Sequence, residues 1–136
     1  MIYYKEYKYH NPVIIGRKGK KVDNNIYSFD IETTSCIKLN SKIYNASSYE
    51  NFTDREKDLA EFYSIMYIWM FSINDTVYYG RTWDELKEFW SLLDEYIPQK
   101  KIVFIHNLSF EFQFLRSQFD FKEVFARTKR KVMKAR

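Results

Sequence analysis

Glycine, proline and cysteine are scarce in this chain: three, two and one among 136 residues. So little glycine and proline leaves few sharp turns and describes a packed chain. The single cysteine, Cys36, excludes an internal disulfide framework and fits a reducing cytoplasm. No run of about 18 apolar residues is present, so no membrane span is expected. The opening Met1-Ile-Tyr-Tyr-Lys-Glu lacks an apolar h-region, so no signal peptide is expected either. Internal repeats, low-complexity stretches and marks of a domain boundary are all missing.

What is abundant is apolar and aromatic matter. Hydrophobic residues make up 46% and aromatic residues 20%, with twelve Tyr and twelve Phe. That supports a real core and excludes disorder. The length suits one domain over 1–136. The net charge of +4 conceals a pattern. Residues 1–22 carry six basic groups and one acidic. Residues 23–126 carry ten basic and seventeen acidic, and the C-terminal segment 127–136 carries six basic and none acidic. Two basic ends flank an acidic middle. A solvated tail is the ordinary meaning of such a run; phosphate contact is the sharper one.

Along the chain, residues 1–22 suggest a strand or arm with a turn at Gly16-Arg-Lys-Gly19. Residues 26–31 predict a strand. Residues 35–61 are polar and read as a long connection with one helical turn. Residues 66–73 are apolar on both alternating faces, as in a covered central strand. Asn74-Asp75 suits a two-residue turn, and 76–79 a returning strand closed by Gly80. Thr82-Trp-Asp-Glu85 spells a capping box, with Leu86, Phe89, Trp90 and Leu93 at helical spacing and Pro98 as the stop. Residues 101–106 predict a buried strand, followed by a helix to about Gln118 with Ser109 as a cap. Residues 121–125 begin one more strand. Strand, hairpin, helix, strand, helix implies an α/β fold: a mixed sheet with helices on its faces.

Two clusters carry chemistry. Asp30 and Glu32 end the run Ile26-Tyr-Ser-Phe-Asp-Ile-Glu32, and residues two apart on a strand share a face. Like charges that close repel unless a cation sits between them. Magnesium and manganese prefer such hard oxygens. A solvated strand end is the bland explanation of the pair. The second cluster, His106-Asn-Leu-Ser-Phe-Glu111, begins at a strand's carboxyl end and turns into a helix, where open α/β sheets place their sites. A Glu near a helix N-terminus also complements the helix dipole without any further role. Together the clusters offer three carboxylates, enough to begin a two-metal centre that hydrolyses phosphodiesters.

The wording of these clusters resembles a known family. Tyr27-Ser-Phe-Asp-Ile-Glu-Thr-Thr34 is similar to the first exonuclease motif of family B DNA polymerases. Ile105-His-Asn-Leu-Ser-Phe-Glu-Phe-Gln-Phe-Leu115 is similar to the second. The wording is nearest to protein-primed phage polymerases, and the stretch from about 26 to 134 follows the family in order, including Trp69 and Gly80-Arg-Thr-Trp-Asp-Glu-Leu86. The resemblance implies a ribonuclease-H-like domain, partial here and lacking the later helices, at the front of a replicative polymerase. It implies 3′–5′ proofreading of single-stranded DNA ends with two Mg²⁺ or Mn²⁺ ions. By that analogy Asp30 bridges both ions, Glu32 serves the ion that activates water, and Glu111 stands where the family usually has Asp. Thr33, Asn107 and Phe110 match positions that hold the 3′ end, with His106 beside them. Phe110 is suited to stacking on a base, and a core aromatic on a helix is its plain alternative. For His106 the plain alternative is a satisfied structural histidine.

The family's third motif, a Tyr and an Asp on a later helix, does not follow Glu111. The expectation is an N-terminal piece of a longer polymerase, inactive alone, in the cytoplasm of a phage host, with a terminal priming protein as a further partner open to the parent. The alternative is a catalytically inactive short protein that binds single-stranded DNA or a replication partner. A ribonuclease-H-like nuclease acting on RNA or cutting internally is a third possibility. Exposed apolar surface is expected where the later helix would pack.

Overall fold

The computed structural model describes residues 1–10, 22–128 and 131–136. The turn expected at Gly16–Gly19 lies outside them. In chain order the elements are β1 (Ile2–Tyr3), α1 (Tyr7–His10), β2 (Tyr27–Leu39), β3 (Lys42–Asn45), α2 (Asp54–Leu59), β4 (Glu61–Ile73) and β5 (Thr76–Gly80). They continue with α3 (Trp83–Tyr96), β6 (Val103–Phe104), α4 (Leu108–Leu115), β7 (Val124–Thr128) and β8 (Lys131–Ala135). The main sheet runs β1-β5-β4-β2-β3, and β6 lies parallel beside the start of β2. β1 joins β5 in parallel; the other neighbours are antiparallel. The mixed α/β class is therefore the one expected. No helix among the described residues is long and apolar enough to cross a membrane.

Alternation along β2 and β4 sets the core. Tyr27, Phe29 and Ile31 pair with Ile73, Phe71 and Trp69, and all six are buried on one face. α3 lays Leu86, Phe89 and Leu93 over that face. Phe89 stacks on Trp69 at 5.6 Å between ring centres and meets Phe71 edge-on at 5.4 Å. Each fully buried large side chain there contributes about 1.5–3 kcal/mol. Gly80 is required by this packing: a Cβ on it would lie 2.3 Å from Trp69 Cζ2.

The N-terminal arm is part of the core. Tyr4 and Tyr7 are buried, with Tyr7 edge-on to Phe89 at 5.7 Å. Tyr3 donates a hydrogen bond to Glu85, and Tyr4 donates to Glu88 Oε2 at 2.8 Å. These bonds tie the short parallel β1 to α3. The far end of α3 is closed by Lys101, whose buried ammonium donates to Asp94 Oδ1 at 2.6 Å and to the Ile97 carbonyl at 2.5 Å.

Several boundaries differ from expectation. β2 does not stop at Ile31; it continues to Leu39, turns through Asn40 and Ser41 at φ 49° and 67°, and returns as β3. The supposed long connection over 35–61 is therefore mostly strand, a 3-10 turn over Ala46–Asn51 and helix α2. Asn40-Ser41 is the left-handed pair a two-residue hairpin needs, without the glycine that usually marks one. β4 likewise begins at Glu61, five residues before the apolar run. The expected strand 101–106 shrinks to Val103–Phe104, and α4 ends at Leu115, short of Gln118. The strand placed at 121–125 begins only at Val124. Asn107, not Ser109, caps α4: its side chain accepts from the Phe110 amide. At α3 the box is half formed. Thr82 accepts from the Glu85 amide at 3.1 Å, while Glu85 turns to the Arg81 amide and the Thr82 hydroxyl.

Candidate carboxylate site

The site face of β2 is the one opposite the aromatic core. Ser28, Asp30 and Glu32 alternate on it and pair with Ser72, Met70 and Ile68 of β4. Asp30 and Glu32 are exposed. Immediately after Glu32 the register slips, leaving Tyr67 as an extra residue on β4. Such bulges bend a strand and re-aim its side chains. By the same alternation Thr33 turns to the other face, across from Met66. It therefore does not share the carboxylates' face.

α4 brings the third carboxylate. β6 pairs with β2 only at Tyr27 and Ser28, so beyond that point the free edge of β2 is open. Glu111, only 3% exposed, fills the opening: its Oε1 accepts the Ile31 amide at 3.2 Å, and the same amide reaches Asp30 Oδ1 at 3.0 Å. In part this is plain structural work, since the carboxylate satisfies an amide that a longer β6 would have taken. The other oxygen, Oε2, is buried without a partner. Burial is the largest of the causes that together raise the Glu111 pKa to about 8. Hydrogen bonding with Asp30 and the charges of Asp30 and Glu32 add to this, and the Ile31 amide opposes them. A proton on Glu111 accounts for both the orphaned oxygen and the Asp30 contact. With both groups ionised neither supplies a proton; once Glu111 is protonated it donates to Asp30.

The groove beside this cluster is lined by Ser28, Phe29, Asp30, Phe104, Ile105 and His106. Phe104 sits opposite Ser28 in register and so on the site face, 63% exposed. The sequence predicts it as part of a buried strand. Only its place beside Ser28 reveals it, and no local sequence signal does. His106 and Asn107 are exposed at the turn into α4, and Phe110 is 44% exposed with its ring edge-on to Phe114 at 5.3 Å.

Whether the residues suit a divalent ion rests on Glu111. A buried, unpartnered carboxylate oxygen next to Asp30, with Glu32 on the same face, is a hard-oxygen donor set of the kind Mg²⁺ and Mn²⁺ take. The set is open: among the described residues no three His, Cys, Asp or Glu are already gathered into a cage. The chain matches no protein-family model, no curated protein and no solved structure.

Proposed function

We propose that this chain carries the carboxylate part of a two-metal 3′–5′ exonuclease centre of the ribonuclease-H-like kind found in phage family B DNA polymerases. Its substrate is the 3′ end of single-stranded DNA. The observation that carries the reading is the meeting of Glu111 with Asp30. The two residues are 81 positions apart in motifs of matching wording, yet both reach the Ile31 amide. The strand order β5-β4-β2-β6, with β6 parallel to β2 and α4 leaving its end, supports a ribonuclease-H-like sheet.

In this reading Asp30, Glu32 and Glu111 supply the oxygens that hold the ions. Divalent ions, if held by these oxygens, would offset the charge that builds on the phosphate and on the attacking and leaving oxygens. The groove does the rest. Phe104 and Phe110 offer exposed ring faces to unstacked bases, each worth about 1–3 kcal/mol. Asn107 and His106 stand at the turn where the terminal sugar and phosphate lie. Hydrolysis consumes one water, breaks the P–O3′ bond and releases a nucleoside monophosphate. The same reading gives the longer parent a priming protein as partner and a host cytoplasm as its location.

A second reading has its own support: Phe104 and Phe110 are exposed beside the carboxylates, and residues 127–136 hold six basic side chains and no acidic one. In it the protein holds single-stranded DNA without cutting it. The test separates the two. The protein at its full natural length, given magnesium or manganese and a 5′-labelled single strand, is expected to shorten the strand from its 3′ end. Asp30→Ala with Glu32→Ala is expected to abolish this. Undiminished digestion by the double variant refutes the site, and binding without digestion favours the second reading.

A further inference from the structure

The groove is acidic and so is its proposed substrate, so the strand needs cations from elsewhere in the chain. Residues 127–136 hold six basic and no acidic side chains. The chain folds most of this stretch into the antiparallel hairpin β7–β8, and β8 packs against α4, the helix that carries Phe110 and Glu111. The base of the hairpin is fixed. Phe121 meets Phe112 edge-on at 5.0 Å, the Lys122 and Glu123 amides donate to the Arg136 carbonyl, and the Arg136 amide donates to Glu123. Lys122, Lys134 and Arg136 are exposed at that end. Arg136 Nη1 lies 3.9 Å from Glu123, an exposed pair that contributes little.

We propose that the β7–β8 hairpin is a phosphate-binding arm for the single strand whose 3′ end enters the carboxylate groove. The proposal rests on the nuclease reading and adds to it the element that grips the backbone. α4, eight residues and about 12 Å long, carries Glu111 in its first turn and meets β8, so one short helix links the carboxylates to the hairpin. A flexible polyanion is the partner this arrangement fits. The basic arm attracts its phosphates and offsets their repulsion from Asp30 and Glu32, while Phe104 and Phe110 take its bases.

The experiment is fluorescence anisotropy of a labelled oligothymidylate with the full chain, in EDTA, between about 50 and 200 mM salt. The variant is Lys122→Gln, Lys134→Gln, Arg136→Gln. Each lost phosphate contact on a single strand removes about 0.7 from the slope of log affinity against log salt. Three contacts therefore flatten the slope by about 2 and weaken binding at low salt by tenfold or more. The charge-keeping variant, Lys122→Arg, Lys134→Arg, Arg136→Lys, is expected to hold the original slope. An unchanged slope in the Gln variant overturns the arm, as does equal loss in the charge-keeping variant or binding of anionic vesicles with none of the oligonucleotide. The arm and the nuclease fail separately. Steep, hairpin-dependent binding without digestion sinks only the nuclease; carboxylate-dependent digestion with an unmoved slope sinks only the arm.

Discussion

Replacing Glu111 by Gln isolates the electrostatic burden that the buried carboxyl places on the fold. Gln keeps an oxygen for the Ile31 amide and presents an N–H₂ toward Asp30, as the protonated acid does. The burden follows from linkage. Below about pH 4.5 both folded and unfolded chains hold the proton, and Glu111 costs nothing extra. Between 4.5 and about 8 the unfolded chain has released its proton while the folded chain retains it, so stability falls as pH rises. Above about 8 both are ionised and the loss levels off. At about 1.4 kcal/mol per pH unit, the displacement sets a ceiling near 5 kcal/mol. Water in the open groove and local relaxation leave roughly half of it, about 2–3 kcal/mol. Urea unfolding followed by tryptophan fluorescence in EDTA, from about pH 4 to pH 9, reads this directly, since Trp69 is fully buried. The Gln variant is expected to match the parent at the acid end and exceed it by about 2–3 kcal/mol at the alkaline end. Parallel stability curves for the two proteins would refute the reasoning.

Three further substitutions test the packing. Lys101→Met removes the ammonium that closes α3 and leaves the Ile97 carbonyl and Asp94 unpaired; a loss of about 2–3 kcal/mol in urea unfolding is expected. Gly80→Ala forces a Cβ into the Trp69 ring and is expected to cost about 1–3 kcal/mol, with a shifted tryptophan emission reporting the displaced indole. Ser41→Gly relieves a left-handed backbone at φ 67° in the β2–β3 turn and is expected to raise the melting temperature, by about 0.5–1 kcal/mol in stability.

The sequence was most legible where two signals agreed. Over 66–93 the apolar strand, the Asn74-Asp75 turn and the Thr82 cap all pointed one way, and β4, β5 and α3 follow that plan. It was least legible over 35–61. There β3 and the outer part of β4 are largely exposed, and β2 buries Cys36, Ile37 and Leu39 outside the main cluster, two of them adjacent, so hydrophobic alternation is weak. The N-terminal arm was readable as an arm but not as core, because Tyr4 and Tyr7 are amphipathic and their burial depends on α3, some 80 residues away.

For the site, strand periodicity was enough to put Asp30 and Glu32 on one face. The position of Glu111 followed from the motif's placement after a strand, but its burial did not. That depends on β6 being only two residues long, which leaves the Ile31 amide for the carboxylate to take. Thr33 and Phe104 show the same limit in opposite directions. A motif position lands on the far face at a bulge, and an unremarked phenylalanine lands beside the carboxylates. Phe62, Ile65 and Tyr67 of β4 are exposed.

Paramagnetic broadening by manganese is the decisive measurement. Titrating Mn²⁺ into the isotope-labelled protein above about pH 8, where Glu111 is ionised, is expected to broaden the amide signals of Asp30–Glu32 and Asn107–Glu111 first. Asp30→Ala with Glu32→Ala is expected to erase that preference. Broadening spread evenly over exposed acids such as Asp54 and Glu95, or a preference untouched by the double substitution, would contradict a divalent-ion site at the β2–α4 junction.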